Sequence, residues 1–260
     1  MKTYKELEDE FVALQLSTED IVIETWVMLK KKYDGVMREV LDKIALWWLH
    51  NDIKSLTDAQ ANMNSLMSEL DGILDPAYEE LIEDMTKLFA EVYAFNAEYT
   101  KKSLEIENED EEDYLLLFSL LGLASIPWVE DGLTYAERMR LRKTQLKDNL
   151  KTILLRASII GLGTKKLLKM IEDEMGKSKY SGAAVVVDES NHFANEAVRK
   201  VAETEYTGYE ISEVLDGKTC DTCRAMHGMY YDWSEYQVGL TAPKFHSHCR
   251  GRIIPAERPI

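Results

Sequence analysis

Asp75–Tyr99, DPAYEELIEDMTKLFAEVYAFNAEY, decides the fold class. A carboxylate followed by proline is a helix start, because proline's missing N–H is harmless at the first helical position. Leu81, Met85, Leu88, Val92, Phe95 and Tyr99 then recur every three or four residues, the period of a bundle helix with one apolar stripe. The same rhythm extends in both directions. Leu7, Phe11 and Leu14 mark a first helix, and Ser17 and Asp20 supply a cap and a charge for a second. That second stripe is Ile21, Thr25, Met28, Leu29 and Tyr33, and Asp34-Gly35 predicts its end. Val36 to His50 reads as a third helix with Val40, Leu41, Ile44 and Trp47 or Trp48 inward, and Thr57-x-x-Gln60 as a capping box opening a fourth that Asp71-Gly72 closes. Downstream, the pattern predicts helices over Thr134–Ile160, Thr164–Met175 and Asp188–Glu205, separated by Gly161-Leu162-Gly163 and a loop at Ser178–Gly182.

The period then changes to two. Tyr209 to Val214 alternates like a strand, Asp216-Gly217 is a turn signal, and Met229–Tyr231 and Arg252–Ile254 are further short strands. The expected architecture is mainly α: a helical N-terminal half, then a helical domain ending in a small β-rich Cys/His zinc module. The expected division is an acidic helical domain at 1–131 and a second domain at 132–260, with the metal module at about 209–256.

Charge supports that division. Residues 1–131 hold 11 Lys/Arg against 30 Asp/Glu, whereas residues 132–260 hold 20 against 17. Such asymmetry suggests two surfaces with different partners, the acidic one repelled by DNA. The basic stretch Arg138–Lys179 reads first as a solvated helical face and second as a nucleic-acid footprint, with Arg142, Lys143, Lys165 and Lys166 as the contacts. Glu105 to Asp113 carries seven carboxylates and reads as an exposed loop. No stable membrane span is expected: the longest apolar stretch, Tyr114 to Val129, contains Gly122 and Pro127, falls short of the roughly 20 residues a spanning helix needs, and reads as a buried helix. The amino terminus has no apolar signal core, so nothing there directs export.

All three cysteines lie near the C-terminus, too few for a disulfide framework. Cys220-x-x-Cys223 and His246-x-x-Cys249 together supply four ligands that can converge tetrahedrally on one zinc per chain. Four protein ligands leave no open coordination position, which makes the site structural; reduced thiols without metal are the other reading. A thioredoxin-like redox motif fits poorly, since no βαβ unit precedes it. A deaminase would need H-x-E upstream, and His192 and Glu196 have the wrong spacing. A zinc-stabilised DNA-binding module or an HNH-like nuclease remains the alternative, the latter requiring His227 or His248 as base beside an open magnesium site. No catalytic residues are assigned.

The segment Leu215-Asp216-x-x-Thr219-Cys220-x-x-Cys223-x-x-x-His227-Gly228, followed by Pro243-x-x-His246-x-x-Cys249-Arg250, resembles the closing signature of Mu F-like bacteriophage minor head proteins. With Gly132-Leu133-Thr134-x-x-Glu137-Arg138 and Gly161-x-Gly163 upstream, the likeness covers about residues 130–256. Two departures stand out: Gly251 where the family often has cysteine, and Met226-His227 where it often has Leu-Asp. The resemblance implies a non-enzymatic structural protein inside the phage head, carried in few copies. It also implies association with the portal protein and inner capsid, and in some members delivery with the packaged DNA.

Overall fold

The computed structural model describes residues 2, 4–50, 56–106, 113–129 and 131–258. Four long helices dominate: α1 (Tyr4–His50), α2 (Leu56–Ser103), α4 (Tyr135–Ile160) and α5 (Thr164–Ala202). The short α3 (Tyr114–Leu120) lies between α2 and α4; after α5 come β1 (Gly208–Ser212), α6 (Asp221–Met226), β2 (Tyr230–Asp232) and β3 (Arg252–Ala256). Mainly helical with a small β-rich end is therefore the observed class. No helix among the described residues is long and apolar enough to cross a membrane.

Several expected breaks are absent, among them the helix start expected at Ser17 and Asp20, which lies inside α1. Asp34-Gly35 does not end a helix: α1 continues to His50, because Tyr33, Met37, Val40 and Ile44 are all buried along one stripe. A mid-helix glycine costs about 1 kcal/mol, less than that burial returns. Asp71-Gly72 and Asp75-Pro76 likewise lie inside α2. Pro76 removes one backbone donor, yet Leu70, Leu74 and Tyr78 are fully buried on either side and carry the helix across. Thr57-x-x-Gln60 falls within the start of α2 rather than before it. Ser178–Gly182 is helical too, held by Lys179 on Asp34 (2.8 Å) and Ser178 on the Tyr78 hydroxyl (3.3 Å). Met28 points outward and is 61% exposed; Val22 and Leu29 take the inward positions.

Tyr114–Val129 is only partly a helix. Asp113 caps α3 by accepting from the Leu116 N–H (3.0 Å), and Gly122, at φ 60°, ends the segment in a conformation that favours glycine. Tyr114 and Phe118 are buried, while Leu115, Leu116, Leu121 and Ile126 are exposed. Most of the acidic run at Glu105–Asp113 lies outside the described residues.

The chain forms two compact units, residues 1–25, 85–134 and 184–260 in one and residues 26–84 and 135–183 in the other. Each draws on residues before and after 131. In the second unit Leu66, Leu70 and Leu74 of α2, Ile44 of α1, Leu150 and Leu154 of α4, and Leu167 and Ile171 of α5 are all fully buried. Arg140 pairs with Glu79 through two hydrogen bonds (2.8 and 2.6 Å), and Lys147 with Asp71 (2.6 Å).

In the first unit β1 is central, with β2 and β3 antiparallel on its two sides. Tyr209 and Ile211 share a face with Ile253, and with Ile254 they form a buried cluster with Leu7, Phe11 and Leu14 of α1 and Val198 of α5. A glycine is needed at 208, where a Cβ would stand 2.1 Å from the Tyr231 carbonyl oxygen. A second apolar group joins Phe89, Phe118 and Phe193, with ring centroids 5.1–5.3 Å apart around Phe193.

Candidate metal centre

The Cys-x-x-Cys segment begins with a tie. The Asp216 carboxylate accepts from the Lys218 N–H (2.8 Å), and the Thr219 hydroxyl accepts from the Asp216 N–H (2.9 Å). This turn delivers Cys220 as the N-cap of α6, its sulfur accepting from the Cys223 N–H (3.4 Å). Cys223 itself is in the first turn of α6 and buried. The second segment is tied to the same place: Arg250 grips Asp216 with two hydrogen bonds of 2.9 and 2.7 Å. That pair holds the Asp216 carboxyl well below the usual carboxylate range. The aspartate before Cys-x-x-Cys and the arginine after His-x-x-Cys are thus partners.

Each of the four expected ligands lies beside Cys223 or His246. His246 Nε2 lies 3.2 Å from Cys220 Sγ and 3.0 Å from Cys223 Sγ, and Cys223 Sγ lies 3.7 Å from Cys249 Sγ. The His246 Nδ1 faces the Ser247 carbonyl oxygen at 2.7 Å. A proton on Nδ1 for that contact leaves the Nε2 lone pair aimed at the sulfurs, the arrangement metal-bound histidines adopt. A zinc ion with Zn–S bonds of about 2.3 Å sets its sulfurs roughly 3.8 Å apart, so the Cys223–Cys249 edge already has the right length. The donors form two triads that share Cys223: Cys220, Cys223 and His246 on the exposed side, Glu213, Cys223 and Cys249 on the buried side. These residues fit a soft, thiolate-binding ion, which would supply structural cross-linking rather than chemistry.

Protonation differs across the cluster. The Cys223 N–H holds the exposed Cys220 thiol below its ordinary range, with His246 a lesser cause. Burial pushes the Cys223 and Cys249 thiols up, and burial likewise raises Glu213.

Sequence reasoning missed the residues that hold this segment from behind. On α5, Asp188 accepts from the His248 N–H (2.9 Å) and the Ser247 hydroxyl (2.9 Å), and ion-pairs the buried Lys244. One turn on, Asn191 donates to the Cys249 carbonyl oxygen (2.6 Å) and accepts from Arg252 (2.7 Å). After another turn Asn195 accepts from the Ile253 N–H (3.0 Å). Gln15 of α1 donates to the Arg250 carbonyl oxygen (3.1 Å). Polar residues three and four apart on a helix normally read as its wet face; the only signal was their spacing, one per turn. Asn191→Ala would orphan the buried Cys249 carbonyl and leave the Arg252 guanidinium only its bond to the backbone carbonyl of residue 191, so we expect a loss of about 1–3 kcal/mol in chemical denaturation. An unchanged midpoint would contradict the clamp.

The remaining site candidates are not among the donors of the two triads. Lys143 of α4 ion-pairs Asp75, Arg142 is half-buried, and Lys165 and Lys166 are exposed in the first turn of α5. His227 Nδ1 accepts from the Glu213 N–H (3.1 Å), and His248 occupies a turn at φ 61°.

Fold and site together define a mainly helical protein whose C-terminal end is a compact Cys/His knuckle pinned to a long helix. Residues 148–254, from within α4 into β3, match the family model described as Phage Mu protein F like protein, and this part of the chain is Mu F-like. That family points to phage head morphogenesis. No curated protein and no solved structure matches the chain.

Proposed function

We propose that the protein is a structural minor head protein of a bacteriophage, resident in the virion, associated with the portal protein and inner capsid, and able to leave with the packaged DNA. The observation that carries this reading is the Mu F-like match over residues 148–254, which spans α5 and the whole knuckle. The donor set supports a structural role. Thiols and an imidazole are the donors that structural zinc sites use. The ion, zinc at one per chain, would staple a segment of few core residues to α5.

The first 131 residues are strongly acidic, so contact with DNA falls to the second half and within it to the exposed Lys165 and Lys166, since Lys143 is already paired. Such contact would weaken steeply with salt. Coexpression of the full chain with the portal protein of its own phage tests the assignment. Copurification of the chain with the assembled portal ring is expected. A ring that assembles and retains none of the chain would contradict the portal role.

A further inference from the structure

The Tyr209–Glu213 stretch places a carboxylate in phase with two core residues. Tyr209 and Ile211 are fully buried, and Glu213, next on the same face, is only 6% exposed. A buried carboxylate is expensive unless a cation or several donors compensate it. Among the described residues, Glu213 ion-pairs with no lysine, arginine or histidine. Its Oε1 instead accepts a long hydrogen bond from the Cys249 thiol (3.6 Å), and it forms one close triad with Cys223 and Cys249. Nearby buried cations are committed elsewhere: Lys244 to Asp188, and Arg252 to Asn191. The carboxylate position is also enforced. A Cβ at residue 251 would stand 2.3 Å from Glu213 Oε1 and 2.9 Å from its Cδ, so glycine at 251 is what leaves room for the carboxylate. The backbone of Glu213 is pinned by its hydrogen bond to His227.

We infer that Glu213 is itself a metal donor, completing the buried side of the centre together with Cys223 and Cys249. A weak thiol donor offsets the burial of a carboxylate only in part, and the ion supplies the rest. An oxygen donor at zinc-type distance of about 2.0–2.2 Å is ordinary for a carboxylate beside thiolates. A four-coordinate ion then takes Glu213, Cys223 and Cys249 from the buried side and one donor, Cys220 or His246, from the exposed side. This inference rests on the metal-centre reading above and adds to it a ligand outside the Cys-x-x-Cys and His-x-x-Cys pairs.

The test uses the full chain, kept reduced and loaded with Co(II), whose visible bands report ligand type and number. Zinc affinity is measured alongside by competition with a chelator. Two variants approach the carboxylate from opposite sides. Glu213→Gln keeps its size and weakens its donor power, while Gly251→Ala removes no donor, keeps the backbone N–H that meets Cys249 Sγ, and pushes the carboxylate away. Both are expected to change the Co(II) bands in the same sense and to lower zinc affinity at least about 10-fold. Wild-type bands retained in both folded variants would overturn the assignment of Glu213 and leave the Cys/His centre standing. A wild-type chain that takes up neither ion would overturn both.

Discussion

Cys223→Ser is expected to remove the metal centre while leaving the helices intact. Cys223 is the one residue common to both triads, so its loss breaks the exposed and the buried halves together. The fall in zinc affinity should exceed the roughly 10–100-fold that loss of an outer-shell partner alone causes. Loosening should be local. The segments that rely on the cluster are Asp216–Met226 and Lys244–Arg250, whereas Tyr209, Ile211, Ile253 and Ile254 stay anchored in an apolar cluster with α1 and α5. Amide hydrogen exchange should therefore accelerate in the two Cys-bearing segments and change little in β1 and β3. The helical circular dichroism should hold. A variant with undiminished zinc affinity would show that Cys223 is no ligand.

Phe193→Ala is the substitution expected to cost the most folding free energy. Phe193 sits on α5 next to the clamp residues, is 2% exposed, and packs against Phe89 of α2 and Phe118 of α3. Truncating a buried phenylalanine costs about 3–5 kcal/mol, because the transfer energy of the ring and the cavity left behind act together. Aromatic pairing adds to this, since two rings lose their partner at once. The chemical denaturation midpoint of the full chain should drop accordingly, and the clamp on the knuckle should weaken with it through the shared helix. A loss below about 1 kcal/mol would mean that the cavity collapses or that the ring is not part of the core.

Much of this was readable from the chain. The stripe Leu81, Met85, Leu88 and Val92 is buried as its spacing requires, and the switch from period three-and-a-half to period two near residue 208 marks the sheet. The four Cys/His residues were picked out from spacing alone, and they fall into two donor triads that share Cys223. What local reading could not supply was continuity. Gly35, Gly72, Pro76 and Gly182 are breakers by intrinsic preference, yet each lies in a helix whose flanking turns are buried, and packing outweighs preference there. The clamp was hidden for a related reason. Asp188, Asn191 and Asn195 look like a solvated helix face until a chain segment from residues 247–253 is laid on it. Glu213 was passed over as the polar member of an alternating strand, although it falls on the inward phase.

Departures within the signature now have physical reasons. Gly251 stands where the family often has cysteine, and here the space that a side chain would need is filled by Glu213. His227, in place of the usual aspartate, accepts a backbone hydrogen bond from that same glutamate.

The central claim is that the C-terminal knuckle is a structural metal centre. Its most direct test is the metal content of the full chain, purified and kept reduced throughout, by elemental analysis with simultaneous titration of free thiols. The account predicts about one zinc per chain, with thiols that react freely only after a chelator is added. Protein that is folded and fully reduced, yet contains no zinc, binds none when it is offered, and leaves its thiols reactive, would contradict it.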